Sequence, residues 1–338
     1  MKDIRNYSLL GHNTFGIDAK CDRFVEFSSV DELQHIVGTL TDADRPLLLL
    51  GAGSNLLLTG DYHGTVIHSA IRGVVCEHED ADNSLVRCGS GETWDDVVAL
   101  CIEHGWHGAE NLSLIPGEVG ASAIQNIGAY GAEAKDLIEK VEAVEIATGE
   151  LKTFSNADCE YSYRQSKFKH EWRDKFIVTY VTYRFSKTFH PLLDYGNIRS
   201  YLEKKGIETP AASQLRDAII DIRNAKLPDP KVEGNAGSFF MNPIVPKKKY
   251  EELASRYPGM PHYTIDAEHE KIPAGWMIEQ CGWKGKSLGR AGVHSKQALV
   301  LVNRGGAKGE DIVNLYKKVR EDVLSKFDIE INPEVNVK

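Results

Sequence analysis

Residues 46–50 read as a fully apolar strand that runs straight into Gly51-Ala52-Gly53-Ser54-Asn55, with no clear helix after the glycines. A dinucleotide fold of the βαβ kind needs its glycine turn to open a helix whose first amides meet the pyrophosphate. That fold is therefore disfavoured. Two readings of the turn remain. It is an ordinary structural turn, or it is a nest of inward-facing amides that, with the Ser54 hydroxyl and the Asn55 amide, holds a diphosphate without positive charge.

The flanks build a small unit around it. Residues 24–27 read as a strand, and Ser29 caps a helix over 30–40 with Asp31 and Glu32 in its first turn, where the helix dipole favours negative charge. A strand at 65–68 completes a β-α-β-turn-β arrangement. Strand patterns recur at 85–88, 141–146 and 176–185, with a helix at 93–104. Among them lies the glycine-rich run at residues 114–131, read here as a loop. A loop of that length in a compact domain is either functional or disordered, and its low charge favours function. Gln125 and Asn126 within it can each donate and accept hydrogen bonds.

A helix over 213–226 is stopped by Leu227-Pro228-Asp229-Pro230. Helices follow at 247–257 and 274–281, then an apolar strand at 297–302. A long helix at 309–326 presents Ile312, Val313, Tyr316, Val319, Val323 and Leu324 on one face. Ahead of these, Gly234-Asn235-Ala236-Gly237-Ser238-Phe239-Phe240-Met241-Asn242-Pro243 sets one hydroxyl among small residues and follows it with aromatics large enough to anchor a strand and exclude water. Such a serine is displayed, although a turn entering a strand has the same composition.

The chain has 338 residues, long for one core, and 42% apolar against 26% charged residues is ordinary for a folded protein. Its formal charge of −9 and lack of a basic run argue against nucleic acid as a partner. Neither a secretory signal nor an uninterrupted bilayer-length apolar stretch is present, so a cytoplasmic protein with no membrane association is expected; nothing marks an obligate protein partner. Six scattered cysteines and 12 histidines show neither Cys-x-x-Cys nor His-Glu-x-x-His spacing, so no metal is expected.

These segments, joined by Tyr161-Ser162-Tyr163-Arg164-Gln165-Ser166-Lys167-Phe168 and the tail Asn332-Pro333-Glu334-Val335, resemble in order and spacing the longer form of the UDP-N-acetylenolpyruvoylglucosamine reductase family, from about Asn13 onward. The resemblance implies an α+β fold. Its FAD-binding part, of the vanillyl-alcohol oxidase and p-cresol methylhydroxylase type, would comprise residues 1–72 with a returning tail at 327–338 and residues 73–226, and a mixed α/β substrate domain would span 227–326. It also implies an NADPH-dependent flavoenzyme that reduces UDP-N-acetylglucosamine enolpyruvate to UDP-N-acetylmuramate for peptidoglycan.

Non-covalent FAD would lie along Gly51, Ala52, Gly53, Ser54 and Asn55, and along Pro116, Gly117, Gly120, Ala121, Ser122, Gln125, Asn126, Gly128 and Tyr130. Ser238 would protonate C2 of the substrate. Arg164 would hold the enolpyruvyl carboxylate in its planar fork, and Glu334 would meet the same group. Tyr163, Tyr195, Lys226, Asn242 and Gln297 would contact the sugar nucleotide, Tyr195 from a segment that folds over it. Arg223, one turn before Lys226, is expected on a solvated helical face. A flavin oxidase of the same superfamily and a sugar-nucleotide sensor are the competing readings, and neither needs Arg164, Ser238 and Glu334 together.

Overall fold

In a computed structural model that describes residues 1–338, the cap signal at the front of the chain takes the expected form. Ser29 sits in extended backbone and accepts the Glu32 N–H at 3.1 Å, opening the helix Val30–Thr39, which buries Leu33, Ile36 and Val37. A cap of this kind contributes about 1 kcal/mol. The strands Leu47–Leu50 and Tyr62–Ser69 pair in parallel, with Leu50 opposite His68. They belong to a four-stranded sheet in the order Lys2–Ser8, Lys20–Phe27, Tyr62–Ser69, Leu47–Leu50. The edge strand Lys2–Ser8 carries no alternating signal, because only Tyr7 is even half-buried; its ring stacks on Phe24 at 4.3 Å.

The chain divides into two compact units. The first comprises Met1–Tyr7, Cys21–Ala52 and His63–Ala225, and the second Ser8–Lys20, Gly53–Tyr62 and Lys226–Lys338. Residues 53–62 compact with the C-terminal part. The cause is a short parallel pairing of Asn336–Val337 with Leu56–Leu57, extended by the Thr59 N–H and hydroxyl, which both donate to the Lys338 carbonyl at 2.6 and 2.7 Å.

Within the first unit, a five-stranded antiparallel sheet runs Leu151–Ser155, Ile138–Glu145, Phe176–Ser186, Asn83–Gly89, Val74–Glu79. The helix Trp94–Glu103 buries Trp94, Val97, Val98 and Cys101 in the same core as Val181, Tyr183 and Phe185. Trp94 meets the Tyr183 ring edge-on at 5.5 Å, and its indole N–H donates to the Leu112 carbonyl at 2.9 Å, so the buried ring leaves no unsatisfied donor.

The glycine-rich run is not the loop that its composition suggests. Val119–Gln125 is a helix. Packing overrides propensity here. The Gly120 N–H donates to the Ser90 carbonyl at 2.9 Å, and a Cβ at Gly120 would stand 2.9 Å from the Ser90 Cβ, so only glycine lets the helix lie this close. Ser122 turns its hydroxyl inward, donating to the Val119 carbonyl and meeting the Tyr183 hydroxyl, each at 2.7 Å.

The second unit holds a four-stranded sheet ordered Asn235–Ser238, Val300–Asn303, Ala291–Val293, Ser287–Leu288. Its long helix Gly309–Phe327 buries Ile312, Leu315, Val319, Val323 and Phe327. Leu315 and Phe327 thus belong to the apolar face, whereas Leu324, expected on it, is 47% exposed. No helix in the protein is long and apolar enough to cross a membrane.

Candidate active site

Ser238 is set by a break in strand register. Asn235 pairs with Val302 and Ser238 with Val300, so the chain between them bulges. Gly237, at φ +68°, supplies the left-handed residue, and its N–H donates to Asn235 Oδ1 at 2.9 Å. A bulge of this sort re-aims the next side chain. Ser238 is accordingly exposed, while Phe239 and Phe240 behind it are fully buried, with Phe239 packed against Phe15 and Tyr316 at 6.3 and 5.3 Å between ring centroids.

The tail is clamped to this strand. Glu334 N–H donates to the Phe239 carbonyl at 2.8 Å, Met241 N–H to the Asn332 carbonyl at 2.9 Å, and Phe240 bridges Pro333. Ser238 and Glu334, almost a hundred positions apart in sequence, are thereby fixed on adjacent backbones. Asn55 secures the other side of the tail: its Nδ2 donates to the Glu334 carbonyl at 3.3 Å and its carbonyl accepts the Asn336 N–H at 3.1 Å. Asn242 accepts the Ala274 N–H at 2.9 Å, at the head of the helix Ala274–Gln280, and Gln297 Oε1 accepts the Leu299 N–H at 3.3 Å. Both amide oxygens are thus partly engaged by the fold.

In the first unit, Arg164 adopts a left-handed backbone at φ +57°, and its guanidinium donates to the carbonyls of Asn126 at 3.2 Å and Gly128 at 2.5 Å. Non-glycine residues in that region cost roughly 1–3 kcal/mol each. Asn126 and Tyr130, both at φ +48°, share it. The strain is held by stitching between the two segments. Asn126 Nδ2 donates to the Ser162 carbonyl at 2.8 Å, Ser166 Oγ to the Ile124 carbonyl at 2.6 Å, and Lys169 Nζ to Gln125 Oε1 at 2.9 Å. The Asn126 and Gln125 side chains thus also tie the loop together, and the Arg164 guanidinium lies over the Tyr163 ring at 5.4 Å.

The two glycine segments touch within this unit. A Cβ at Gly51 would lie 3.2 Å from Glu118 Oε2 and 3.5 Å from the Ala121 Cβ. The lack of a side chain at Gly51 is what lets the two segments approach this closely. Glu118 Oε1 meets His68 Nε2 at 3.1 Å, and His68 Nδ1 meets Glu26 at 3.0 Å. Burial pulls the His68 pKa down, but Glu118 and Glu26 outweigh it and hold the imidazole above its usual value. Gly51 and Ala121 thus meet beside a carboxylate paired with an imidazole whose pKa is raised. Pro116, Gly117 and Ala121 lie at or near the surface, whereas Ser122 has only backbone to offer because its hydroxyl faces the core.

Tyr195 is 46% exposed, and its Cβ would be 3.4 Å from a Cβ on Gly131, so the segment carrying it lies on the glycine-rich run. Lys226, at the end of the helix Ala212–Lys226, is exposed. Arg223 departs from expectation: its Nε is sealed from solvent rather than solvated.

Residues 21–155 match the family described as the FAD binding domain, and residues 229–338 match the UDP-N-acetylenolpyruvoylglucosamine reductase C-terminal domain. Across 98% of this chain, the UDP-N-acetylenolpyruvoylglucosamine reductase of Bacteroides fragilis is 56% identical, with 99% of that relative covered. The reductase of the same name from Flavobacterium johnsoniae is 46% identical, with 98% of each chain covered. The crystal structure of the corresponding Thermus caldophilus enzyme superimposes with a TM-score of 0.69 over 99% of this chain and 98% of its own, at 21% identity, a likeness of fold.

Proposed function

Because the chain belongs to the UDP-N-acetylenolpyruvoylglucosamine reductase family, we propose that it reduces UDP-N-acetylglucosamine enolpyruvate with NADPH, using Ser238, Arg164 and Glu334 on the reacting group. FAD, housed by the FAD-binding domain, supplies the hydride carrier between NADPH and C3 of the enolpyruvyl ether. The chain's own side chains manage the charge and the proton that this transfer calls for. Hydride arriving at C3 turns C2 into an enolate-like carbon and puts charge on the adjoining carboxylate. The Ser238 hydroxyl gives its proton to C2: a serine is a feeble acid near neutrality, but an enolate carbon is a strong base. Arg164 and Glu334 bind the carboxylate and stabilise charge that grows only as hydride arrives, which lowers the barrier rather than merely tightening binding.

The observation that carries this reading is the clamp between Phe239 and Glu334, which sets an acid-bearing tail beside an exposed serine. The division expected from sequence, with residues 1–72 and 73–226 serving FAD and 227–326 the sugar nucleotide, remains our proposal for how the work is shared. So do a cytoplasmic site of action and activity without a protein partner.

The purified protein is expected to be yellow and to release FAD into the supernatant on acid precipitation, read by absorbance and chromatography. A colourless protein that FAD cannot reconstitute would overturn the reading, and flavin left in the pellet would point to a covalent oxidase.

Lys226 and Tyr195 are proposed to bind the diphosphate and uridine. Lys226→Ala should weaken binding of the UDP sugar by roughly 1.5–3 kcal/mol, and Tyr195→Phe by less. Reduction by NADPH without the sugar should change less than the sugar affinity does. Loss of FAD from either variant would mark that residue as structural.

A further inference from the structure

Arg223 lies in the last turn of the helix Ala212–Lys226, where its neighbour Ile222 packs among Ile198, Leu202, Leu215 and Ile219. Its Nε is shut away from solvent and has no hydrogen-bond partner. Two turns earlier on the same face, Arg216 grips both Asp95 oxygens at 2.6 and 3.0 Å, and Asp95 Oδ1 also accepts the Leu114 N–H at 2.5 Å. The carboxylate best placed to neutralise Arg223 is therefore already bound. What else faces Arg223 is the Tyr130 phenol and a second cation, Arg164. Burial draws the Arg223 pKa below the usual arginine value, with Tyr130 and Asp95 opposing the shift and Arg164 adding to it.

Arg223 is half-buried with its Nε sealed, and a guanidinium donor turned away from water is normally paired, because leaving it unmatched costs free energy. Here the nearby anion, Asp95, is already held by Arg216 and the Leu114 N–H, and Arg164 adds a like charge. The surroundings are also fixed: Tyr130 is held by the Asn111 side chain donating to its carbonyl at 2.8 Å, and its ring lies against Gly196. Two guanidinia beside a phenol, with the local carboxylate already occupied, make a site that lacks only an oxyanion.

We propose that Arg223 binds an oxyanion of the UDP-sugar substrate together with Arg164, as a second guanidinium of the substrate site. This deepens the function proposed above and rests on it. The oxyanion is either the enolpyruvyl carboxylate or the diphosphate, and a planar fork can take two oxygens of either.

The test uses the FAD-loaded enzyme and the variants Arg223→Gln and Arg223→Lys. Without ligand, Arg223→Gln should melt at or above the parent temperature, because the sealed Nε makes no hydrogen bond that the change would break; a residue with a structural role would move the other way. KM for the enolpyruvyl sugar should rise by at least about tenfold, with partial recovery in Arg223→Lys, while flavin reduction by NADPH alone is unchanged. Calorimetric titration with UDP then separates the sources. Equal weakening of UDP assigns the diphosphate, and unchanged UDP affinity assigns the carboxylate. An unaltered KM, or an effect confined to FAD retention or to NADPH, overturns the proposal. Failure of the parent enzyme to turn over the enolpyruvyl sugar would instead strike the reading of function itself.

Discussion

Replacing Ser238 with alanine should leave the first half-reaction nearly intact and cripple the second. Flavin reduction by NADPH needs no proton from this hydroxyl, so its rate in Ser238→Ala should match the parent. Reoxidation by the enolpyruvyl sugar should slow by roughly 10² to 10⁴, the usual cost of removing a general acid, and Ser238→Cys should recover part of it because a thiol also donates a proton. Stopped-flow absorbance of the flavin reads both steps. In deuterated solvent the product should carry its solvent label at C2. The fold should tolerate the change, since the bulge that displays Ser238 is made by Gly237 and Asn235 and the burial behind it by Phe239 and Phe240. Equal slowing of both half-reactions would reassign Ser238 to organising the flavin site.

Arg164→Lys should lower kcat/KM for the enolpyruvyl sugar by roughly 10² to 10³, as expected when a donor to a developing oxyanion is lost. A lysine keeps the charge but cannot reach two acceptors in a plane. In this protein the same fork also donates to the carbonyls of Asn126 and Gly128, so the variant has a second consequence for the glycine-rich run. Measuring FAD affinity beside the kinetics of FAD-saturated enzyme separates the two. Gly128→Ala is a companion probe: its Cβ would stand 2.8 Å from Arg164 Nη1 and 2.9 Å from the Ala132 carbonyl, displacing the fork without altering its charge. If FAD-saturated Arg164→Lys works at the parental rate, Arg164 is a staple of the loop and not a ligand of the substrate.

Local chemistry was readable where a short motif decides the conformation. Ser29 and Glu32 announced their helix, and the apolar run at 46–50 and the alternating one at 176–185 announced the strands Leu47–Leu50 and Phe176–Ser186. The display of Ser238 was readable too, because small residues before paired phenylalanines leave few other arrangements. What failed were positions that tertiary contacts decide. The composition of residues 119–125 says loop, yet Ser90 and Tyr183, distant in sequence, make it a helix. The bonds from Asn126 to Ser162 and Glu133 were likewise not announced by the sequence. The strand Lys2–Ser8 is almost wholly exposed, so it has no periodicity to detect. Arg223 has the sequence context of a surface cation and a sealed Nε that only the packing of its helix reveals.

The pairing of residues 56–57 with 336–337 makes the order of synthesis matter. Asn55 leaves the ribosome 279 residues before Glu334, the residue whose carbonyl it binds. At about 5–20 residues per second, that gap is roughly 14 to 56 seconds during which Leu56 and Leu57, both buried in the finished protein, lack their C-terminal partners. The first unit draws mainly on residues before 226, so it can begin to condense on the nascent chain. The second cannot close until the last segment arrives. Ser238 and Glu334 therefore become neighbours only at the end of translation. A truncated chain that stops before the tail should expose an apolar surface that invites chaperones or proteolysis.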